Sequence, residues 1–333
     1  MDKIPSQTLF WTLLKSVSRS FYLSLRYLPA AVRMPLSLAY LIARLADTIA
    51  DSNKIPVDYR KNMLSQLKVL IQTPENDDLL SNLNQDLRLT QNDLSDTHLI
   101  HDLDLLFSLL NQQTSVDKKY IQDVLAKILE GQWLDLYFFD SKTERVHFTT
   151  AQELDHYLYL VAGCVGEFWT ALCVHHIPGY SDKHLEDLRI QAIHFGKALQ
   201  LTNILRDMPQ DALMKRFYLP YPKEAELNTI LCALIHEWKN KAFDYLNDAL
   251  QYIQSIKNYR IQFACLVPYY IARKTLLSLK DEERVESYTT LSSSASPISR
   301  RVKVSRHQVY MYIVKALCFI LLGEKRKYVG FSK

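Results

Sequence analysis

Polar side chains recur at four-residue spacing in one long stretch of the chain, from His194 to Pro220. Residues four apart lie on one face of an α-helix, so this stretch predicts a long helix with a polar face. That face carries Gln200, Asn203, Asp207 and, if the helix continues, Asp211. Two carboxylates one turn apart repel by roughly 0.2–0.5 kcal/mol even when solvated. The pair therefore indicates a bound cation.

The same spacing occurs far upstream, in Asp47 and Asp51 at the end of an apolar segment that begins at Leu36. Each acidic pair has an arginine close by, Arg44 in the first case and Arg206 in the second. A lone D-x-x-x-D is common on solvated helices, but charges at the end of an apolar helix need partners. Two such pairs with arginines fit the binding of a polyanion through divalent metal.

Glycine supplies only 7 of the 333 residues. Because turn-rich β architectures need many glycines, the low count argues against such architectures. Nothing in the chain resembles a linker, and we therefore predict one domain over residues 1–333, with a mobile loop at about 283–299 and a basic C-terminal helical part at 300–333.

Two further segments carry candidate site residues. Ser18, Arg19 and Ser20, followed by Tyr22, form either a helix N-cap beside a solvated arginine or a phosphate clamp, because hydroxyls and guanidinium suit phosphate oxygens. Tyr157 precedes a run of small residues at 161–166 that lets something approach the backbone closely. That neighbour is either another helix or a substrate.

The net charge of +4 is too small to favour nucleic acid as a partner. From Ser299 onward, however, the chain has nine Lys or Arg residues and a single acidic residue, Glu324. This positive charge favours an anionic ligand or peripheral contact with an anionic membrane. The last apolar helix fits a core helix or an interfacial anchor. The odd, scattered cysteines and the absence of a secretory signal predict a cytoplasmic protein with reduced core cysteines, peripheral at most to the inner face of the membrane.

These motifs, in this order, resemble the squalene and phytoene synthase family. The resemblance covers about residues 16 to 310. Four motifs carry it: the segment that begins at Ser18, residues 43–51, Tyr157 with residues 161–166, and residues 199–207 with 216–220. It implies an all-α fold, an isoprenoid synthase helical bundle with a central apolar cavity. It also implies head-to-head condensation of two prenyl diphosphates.

The resemblance assigns roles to the candidate residues. Mg²⁺ would be held by Asp47, Asp51, Asp207 and Asp211. Phosphate would be bound by Arg19, Arg44, Arg206 and Arg216, with Ser18, Ser20, Tyr22, Gln200 and Asn203 as further substrate contacts. Tyr157 would handle a proton during cyclopropane formation. NADPH would be bound by Arg19, Arg44, Arg206, Lys303 and Arg306, outside any Rossmann unit, since no G-x-G-x-x-G occurs.

We accordingly expect a squalene synthase that joins two farnesyl diphosphates and reduces presqualene diphosphate with NADPH. A non-reductive relative that makes phytoene, dehydrosqualene or presqualene diphosphate is the nearest alternative. A non-catalytic helical protein that binds lipid or docks on membranes is an alternative of another class. Head-to-tail prenyltransferases usually show D-D-x-x-D clusters, which this chain lacks.

Three positions depart from the family pattern: Ala50 replaces an acid, Lys215 replaces a glycine, and Pro209 interrupts the second acidic motif. Pro209 matters most, because proline removes a helical hydrogen bond and can end a helix. Asp211 keeps its place on the polar face only if the helix continues past Pro209.

Overall fold

The computed structural model describes the chain except for residues 1–5, 19–20, 53, 92–93, 95–96, 140–147, 215, 222–226, 282–284, 286–305 and 322–333. Within these described ranges every regular element is helical, apart from an isolated bridge at Phe217. The predicted all-α class is therefore confirmed. The chain forms two compact units, Met1–Asp140 with Ala171–His176, and Ser141–Thr170 with Ile177–Lys333.

The helices of the first unit are α1 (Ser6–Val17), α2 (Phe21–Tyr27), α3 (Ala30–Ala50), α4 (Val57–Gln72), α5 (Asp77–Leu89), α6 (Thr97–His101), α7 (Leu103–Asn111) and α8 (Ser115–Phe138). Helix α3 packs against α8 and α4. Its apolar residues cover most of its circumference, and Leu38, Leu41, Leu45 and Ile49 are fully buried. Burying one such side chain stabilises the fold by about 1.5–3 kcal/mol, so α3 is a rigid support for its acidic end.

The connection before α3 is shorter than the sequence predicts. We expected Pro29 and Pro35 to bracket it, but Pro35 lies inside α3 and is buried. Pro29 alone precedes the helix, where its fixed φ of −52° fits the helix start. The interruption is therefore confined to the residues around Leu28 and Pro29.

The helices of the second unit are α9 (Ala151–Leu158), a π-helical turn (Tyr159–Gly163), α10 (Cys164–His176, whose last six residues belong to the first unit), α11 (Leu185–Leu213), α12 (Leu227–Ser255), α13 (Tyr259–Ser278) and α14 (Arg306–Leu321). Thr150 and Glu153 start α9 with a capping box, in which each side chain accepts from the other residue's backbone N–H. Helix α11 packs against α12, the π-helical turn and α13.

The run from Ala151 to His176 is the one described helical stretch that is long and apolar enough to cross a bilayer. Half of its most apolar window is buried inside the protein, as in the core helix of a soluble protein. This observation alone is weak evidence of a membrane span.

Glycines let α11 approach the π-helical turn and α10 at backbone distance. A Cβ atom at Gly166 would collide with the carbonyl oxygen of Ala192, and one at Gly196 would collide with that of Ala162. The small-residue run at 161–166 therefore accommodates a neighbouring helix, which settles the choice between helix packing and a substrate in favour of the helix.

Three of the cysteines, Cys164, Cys173 and Cys265, are buried and reduced, as predicted. Cys232 is also reduced but exposed, so its prediction as a core residue is wrong. It lies on the outer face of α12, where an apolar sequence context does not by itself produce burial.

Candidate active site

The C-terminal end of α3 carries the first acidic pair. Asp47 and Arg44 are partly buried on the helix, and Asp51 is exposed directly after it, where its amide donates to the Asp47 carbonyl at 2.9 Å. Gln132 on α8 donates from Nε2 to Asp47 Oδ1 at 2.5 Å. The Asp47 carboxylate is thus oriented by a neighbouring helix.

The surroundings of Asp47 disfavour its negative charge. Burial, followed by the charges of Asp51 and Asp135, raises the pKa of Asp47 to about 7, although Arg44 acts in the opposite direction. A carboxylate held in this way binds a divalent cation readily, because the cation supplies the missing countercharge. The donor set therefore fits Mg²⁺.

Gln132 and Asp135 were missed at the level of sequence, where their helix was interpreted only by its aromatic residues. Asp135 is 6% exposed and acts electrostatically on Asp47. Two polar residues three apart in an otherwise apolar helix were the available signal, because buried polar groups need partners.

Ser18 lies at the end of α1, where its amide donates to the Leu14 carbonyl at 3.0 Å and its hydroxyl donates to the same oxygen. The hydroxyl therefore does not act as a helix N-cap. Tyr22 lies near the start of α2 and is partly buried. Arg19 and Ser20 lie outside the described residues, so the phosphate clamp stays a prediction.

Tyr157 lies at the end of α9 in a cluster of aromatic rings. It is 5% exposed and stacks on Tyr218 at 5.5 Å between ring centroids, with Phe148 at 5.4 Å on a tilted approach. Such ring pairs contribute about 0.5–1.5 kcal/mol beyond burial. Tyr218 comes from the segment after α11, so this stack fixes the Tyr157 ring through a residue that sequence reasoning did not single out.

A partly buried ion pair joins α9 to α11. Lys197 Nζ donates to both Asp155 carboxylate oxygens at 2.8 and 2.7 Å, and Tyr245 of α12 donates to Asp155 Oδ1 at 2.8 Å. Burial raises the pKa of Asp155, but the bonds from Lys197 and Tyr245 outweigh it and lower the pKa overall. The pair lies two residues from Tyr157 and three from Gln200, and so it sets the position of both.

Helix α11 carries the second acidic pair, and it continues through Pro209 to Leu213. Pro209 therefore does not end the helix before Asp211. The proline is buried in the helix and costs a single backbone hydrogen bond, which the surrounding packing tolerates. Gln200, Asn203, Asp207 and Asp211 consequently share one face, as predicted from their spacing.

Arg206 pairs with the acid next to it. Its Nε donates to Asp207 Oδ1 at 2.9 Å, and its Nη2 donates to Asp207 Oδ2. Arg216 folds back onto the end of α11, where its amide donates to the Asp211 carbonyl at 2.8 Å. The structure therefore brings Arg206, Asp207, Asp211 and Arg216 to one end of α11.

The NADPH residues lie largely outside the described part of the chain. Lys303 is among the residues left undescribed, and α14 begins at Arg306 without a described side chain. Among the described residues, no three His, Cys, Asp or Glu side chains cluster closely enough to hold a metal alone. The first acidic pair lies in the first unit, and the second pair lies in the second unit.

Most of the chain matches the sequence pattern of a known family. The pattern described as squalene/phytoene synthase matches residues 14–308. The chain belongs to the squalene/phytoene synthase family. Members of this family are prenyltransferases, and the resemblance noted from the sequence is thereby confirmed.

Relatives from both branches of the squalene/phytoene synthase family are similar to the chain. Human squalene synthase is 26% identical over 289 residues, which are 82% of this chain and 63% of the human protein. The bifunctional lycopene cyclase/phytoene synthase of Podospora anserina is 30% identical over 213 residues, which are 63% of this chain and 34% of that protein. The chain thus spans under two thirds of human squalene synthase and about a third of the Podospora protein.

Solved members of the squalene/phytoene synthase family have the same fold. The squalene synthase TcSQS, solved with the ligand E5700, superimposes with a TM-score of 0.69 at 19% identity, covering 95% of this chain and 89% of TcSQS. A dehydrosqualene synthase solved with a ligand gives a TM-score of 0.58 at 21% identity, covering 95% and 98%. The isoprenoid synthase fold predicted from the sequence is confirmed.

Proposed function

We propose that this chain condenses two farnesyl diphosphates head to head to presqualene diphosphate and then reduces that intermediate with NADPH to squalene. The observation that carries the proposal is the polar face of α11, on which Gln200, Asn203, Asp207 and Asp211 stay aligned through Pro209 in a chain of this family. Support for the squalene branch comes from the longer alignment with squalene synthase, which extends over 82% of the chain.

Each acidic pair is proposed to hold Mg²⁺ that carries diphosphate. Bound Mg²⁺ would neutralise the leaving diphosphate and so promote ionisation of the allylic C–O bond. Gln132 orients the Asp47 carboxylate, and Arg206 orients that of Asp207. Arg44, Arg206, Arg216 and Arg19 would bind the remaining phosphate charge, because guanidinium binds phosphate oxygens in bidentate geometry.

Tyr157 is proposed to handle the proton that leaves C1 of the ionised farnesyl diphosphate when the cyclopropane closes, with released diphosphate as its final acceptor. The Tyr157 ring is held by Tyr218 and Phe148, so its hydroxyl has a defined position. Positioned proton transfer contributes typically 10²–10⁴-fold to a rate. NADPH would be bound through Arg19, Arg44, Arg206, Lys303 and Arg306.

A non-reductive reaction is the second candidate, because the relatives include phytoene synthases and a dehydrosqualene synthase shares the fold. The test is incubation of the purified protein with farnesyl diphosphate and Mg²⁺, with and without NADPH, followed by product analysis. Squalene that forms only with NADPH supports reduction. One identical product under both conditions refutes it.

The non-catalytic alternative is tested by substitution. We expect Asp47→Asn and Asp207→Asn each to abolish diphosphate release, whereas Asp182→Asn, at an exposed surface pair, leaves it unchanged. Tyr157→Phe retains the aromatic stack and is expected to lose about 10²-fold or more in turnover. Full turnover by Asp47→Asn would support the non-catalytic alternative.

We further propose a cytoplasmic location with peripheral membrane association through the basic C-terminal tail. The support is the charge of the segment after Ser299, which has nine cationic residues and one acidic residue. Each Lys or Arg near an anionic lipid surface contributes about 1 kcal/mol to the binding free energy.

A further inference from the structure

Helix α14 is apolar on two faces, and only one of them is covered. Tyr312, Ala316 and Phe319 are buried against the rest of the second unit, and the Tyr312 ring stacks on Tyr270 of α13 at 6.0 Å. The residues Met311, Val314 and Leu317 lie on another side, 50%, 57% and 39% exposed. These three residues are called the α14 docking face.

Three apolar side chains at successive turns of one helix differ from scattered surface apolar residues. Spacings of three keep Met311, Val314 and Leu317 in one stripe along the helix. Contiguous exposed apolar surface of this kind marks an interaction site more often than chance exposure does. A covering partner is therefore expected.

Two cations lie beside this stripe. Lys315 follows Met311 by one turn, and its ammonium lies 4.8 Å from the centroid of the Tyr270 ring. Burial and the charge of Arg273 on α13 lower the pKa of Lys315, so the two cations are close enough to repel each other. A neighbouring anion would stabilise both. Leu277, one turn after Arg273 on α13, is also apolar and 57% exposed.

The charge pattern discriminates between two possible occupants. A symmetric contact between two copies of the α14 docking face would bring Arg273 and Lys315 of both copies together, and like charges repel. An anionic lipid surface complements the same charges and accepts the apolar side chains.

The length of α14 limits the orientation that it can take at a bilayer. Its 16 residues extend about 24 Å, which is less than the roughly 30 Å of a hydrocarbon core. One face is also occupied by α13. The described part of α14 is therefore shorter than the hydrocarbon core, and its length fits an orientation parallel to the membrane surface.

We propose that the α14 docking face, flanked by Arg273 and Lys315, seats the second unit on an anionic lipid surface. This inference rests on the peripheral membrane association proposed above and names the surface responsible. It is independent of the catalytic proposal.

The test is flotation of the full chain with vesicles of phosphatidylcholine alone or mixed with phosphatidylglycerol. We expect the wild type to bind the mixed vesicles preferentially. The variant Met311→Ser/Val314→Ser/Leu317→Ser should lose about ten-fold or more in partition coefficient. The variant Arg273→Gln/Lys315→Gln should show a reduced preference for the anionic vesicles, because the cations of the C-terminal tail remain.

A matched control removes exposed apolar side chains elsewhere. Val69→Ser/Leu89→Ser/Leu185→Ser alters residues that are 52%, 72% and 57% exposed and is expected to bind like the wild type. Circular dichroism and the thermal unfolding midpoint of each variant confirm that it is folded, and turnover of farnesyl diphosphate without vesicles is measured separately.

Three outcomes would overturn the inference. If the wild type fails to bind anionic vesicles, membrane association itself is refuted, whatever the turnover assay gives. If the triple α14 variant binds vesicles like the wild type, the basic tail alone accounts for membrane binding. If light scattering shows a dimeric wild type and a monomeric triple variant, the face binds a second copy.

Discussion

The carboxyl of Asp47 is held where its charge is costly without a cation. Burial and the charges of Asp51 and Asp135 raise its pKa to about 7, against 3.8 for an ordinary aspartate. Between these two values the folded protein retains a proton that the unfolded chain releases. Stability without metal therefore falls as the pH rises from about 4 through about 7.

Replacing Asp47 by Asn should remove this pH dependence. We expect the free energy of unfolding of Asp47→Asn, relative to wild type, to increase by about 3 kcal/mol between pH 4 and 8 in EDTA, because only the wild type must ionise a buried acid. Urea unfolding across this pH range measures the difference. Asp123→Asn on the exposed face of α8 serves as control and should follow the wild-type curve. Parallel curves for Asp47→Asn and wild type would contradict the prediction.

The Asp155–Lys197 pair illustrates a second residue-level effect. Lys197 is 9% exposed, so removal of its partner leaves a buried charge uncompensated. Because Asp155 itself is 45% exposed, we expect Asp155→Ala to cost less than breaking a fully buried pair, about 1–2 kcal/mol in urea unfolding. Asp182→Ala breaks the exposed pair with Lys257 and should cost under about 1 kcal/mol. Equal effects of the two variants would show that burial of Lys197 has no energetic consequence.

At the scale of elements, the contact of α11 with the π-helical turn and α10 depends on missing side chains. We expect Gly196→Ala to destabilise the protein by about 3 kcal/mol, because its Cβ would collide with the backbone carbonyl of Ala162, which can move only with its helix. Thermal or urea unfolding measures the loss.

Gly163→Ala is the matched control for that contact. Its Cβ would approach side-chain atoms of Ile193 and Tyr159 at 3.2 Å, and side chains can adjust. The gain in helix propensity, about 1 kcal/mol, offsets the crowding, so the net effect should stay within about 1 kcal/mol. A Gly196→Ala variant as stable as Gly163→Ala would refute backbone-to-backbone packing.

At the scale of the whole molecule, substrate and metal should stabilise the chain together. We expect a non-ionisable thiolo analogue of farnesyl diphosphate with Mg²⁺ to raise the unfolding midpoint of the wild type by about 5 °C at saturation. The double variant Asp47→Asn/Asp207→Asn should show no shift, because it lacks a metal ligand in each pair. Differential scanning fluorimetry measures both, and an equal shift in the double variant would contradict the assigned ligands.

Much of this molecule follows from its sequence because the deciding interactions are local. Helical spacing places Gln200, Asn203, Asp207 and Asp211 on one face, and scarce glycine excludes turn-rich folds. The ends of elements were less predictable: α3 accommodates Pro35 and α11 accommodates Pro209, since packing around a proline outweighs the loss of one hydrogen bond.

The sequence by itself determined the helical class, the family and the residue types that can bind metal and diphosphate. Only the tertiary structure showed that Gln132 and Asp135 lie beside Asp47, that Tyr218 stacks on Tyr157, and that Lys197 reaches Asp155. The reason is physical: spacing along one helix fixes which residues share a face, whereas contacts between residues far apart in the chain depend on how the helices pack against each other.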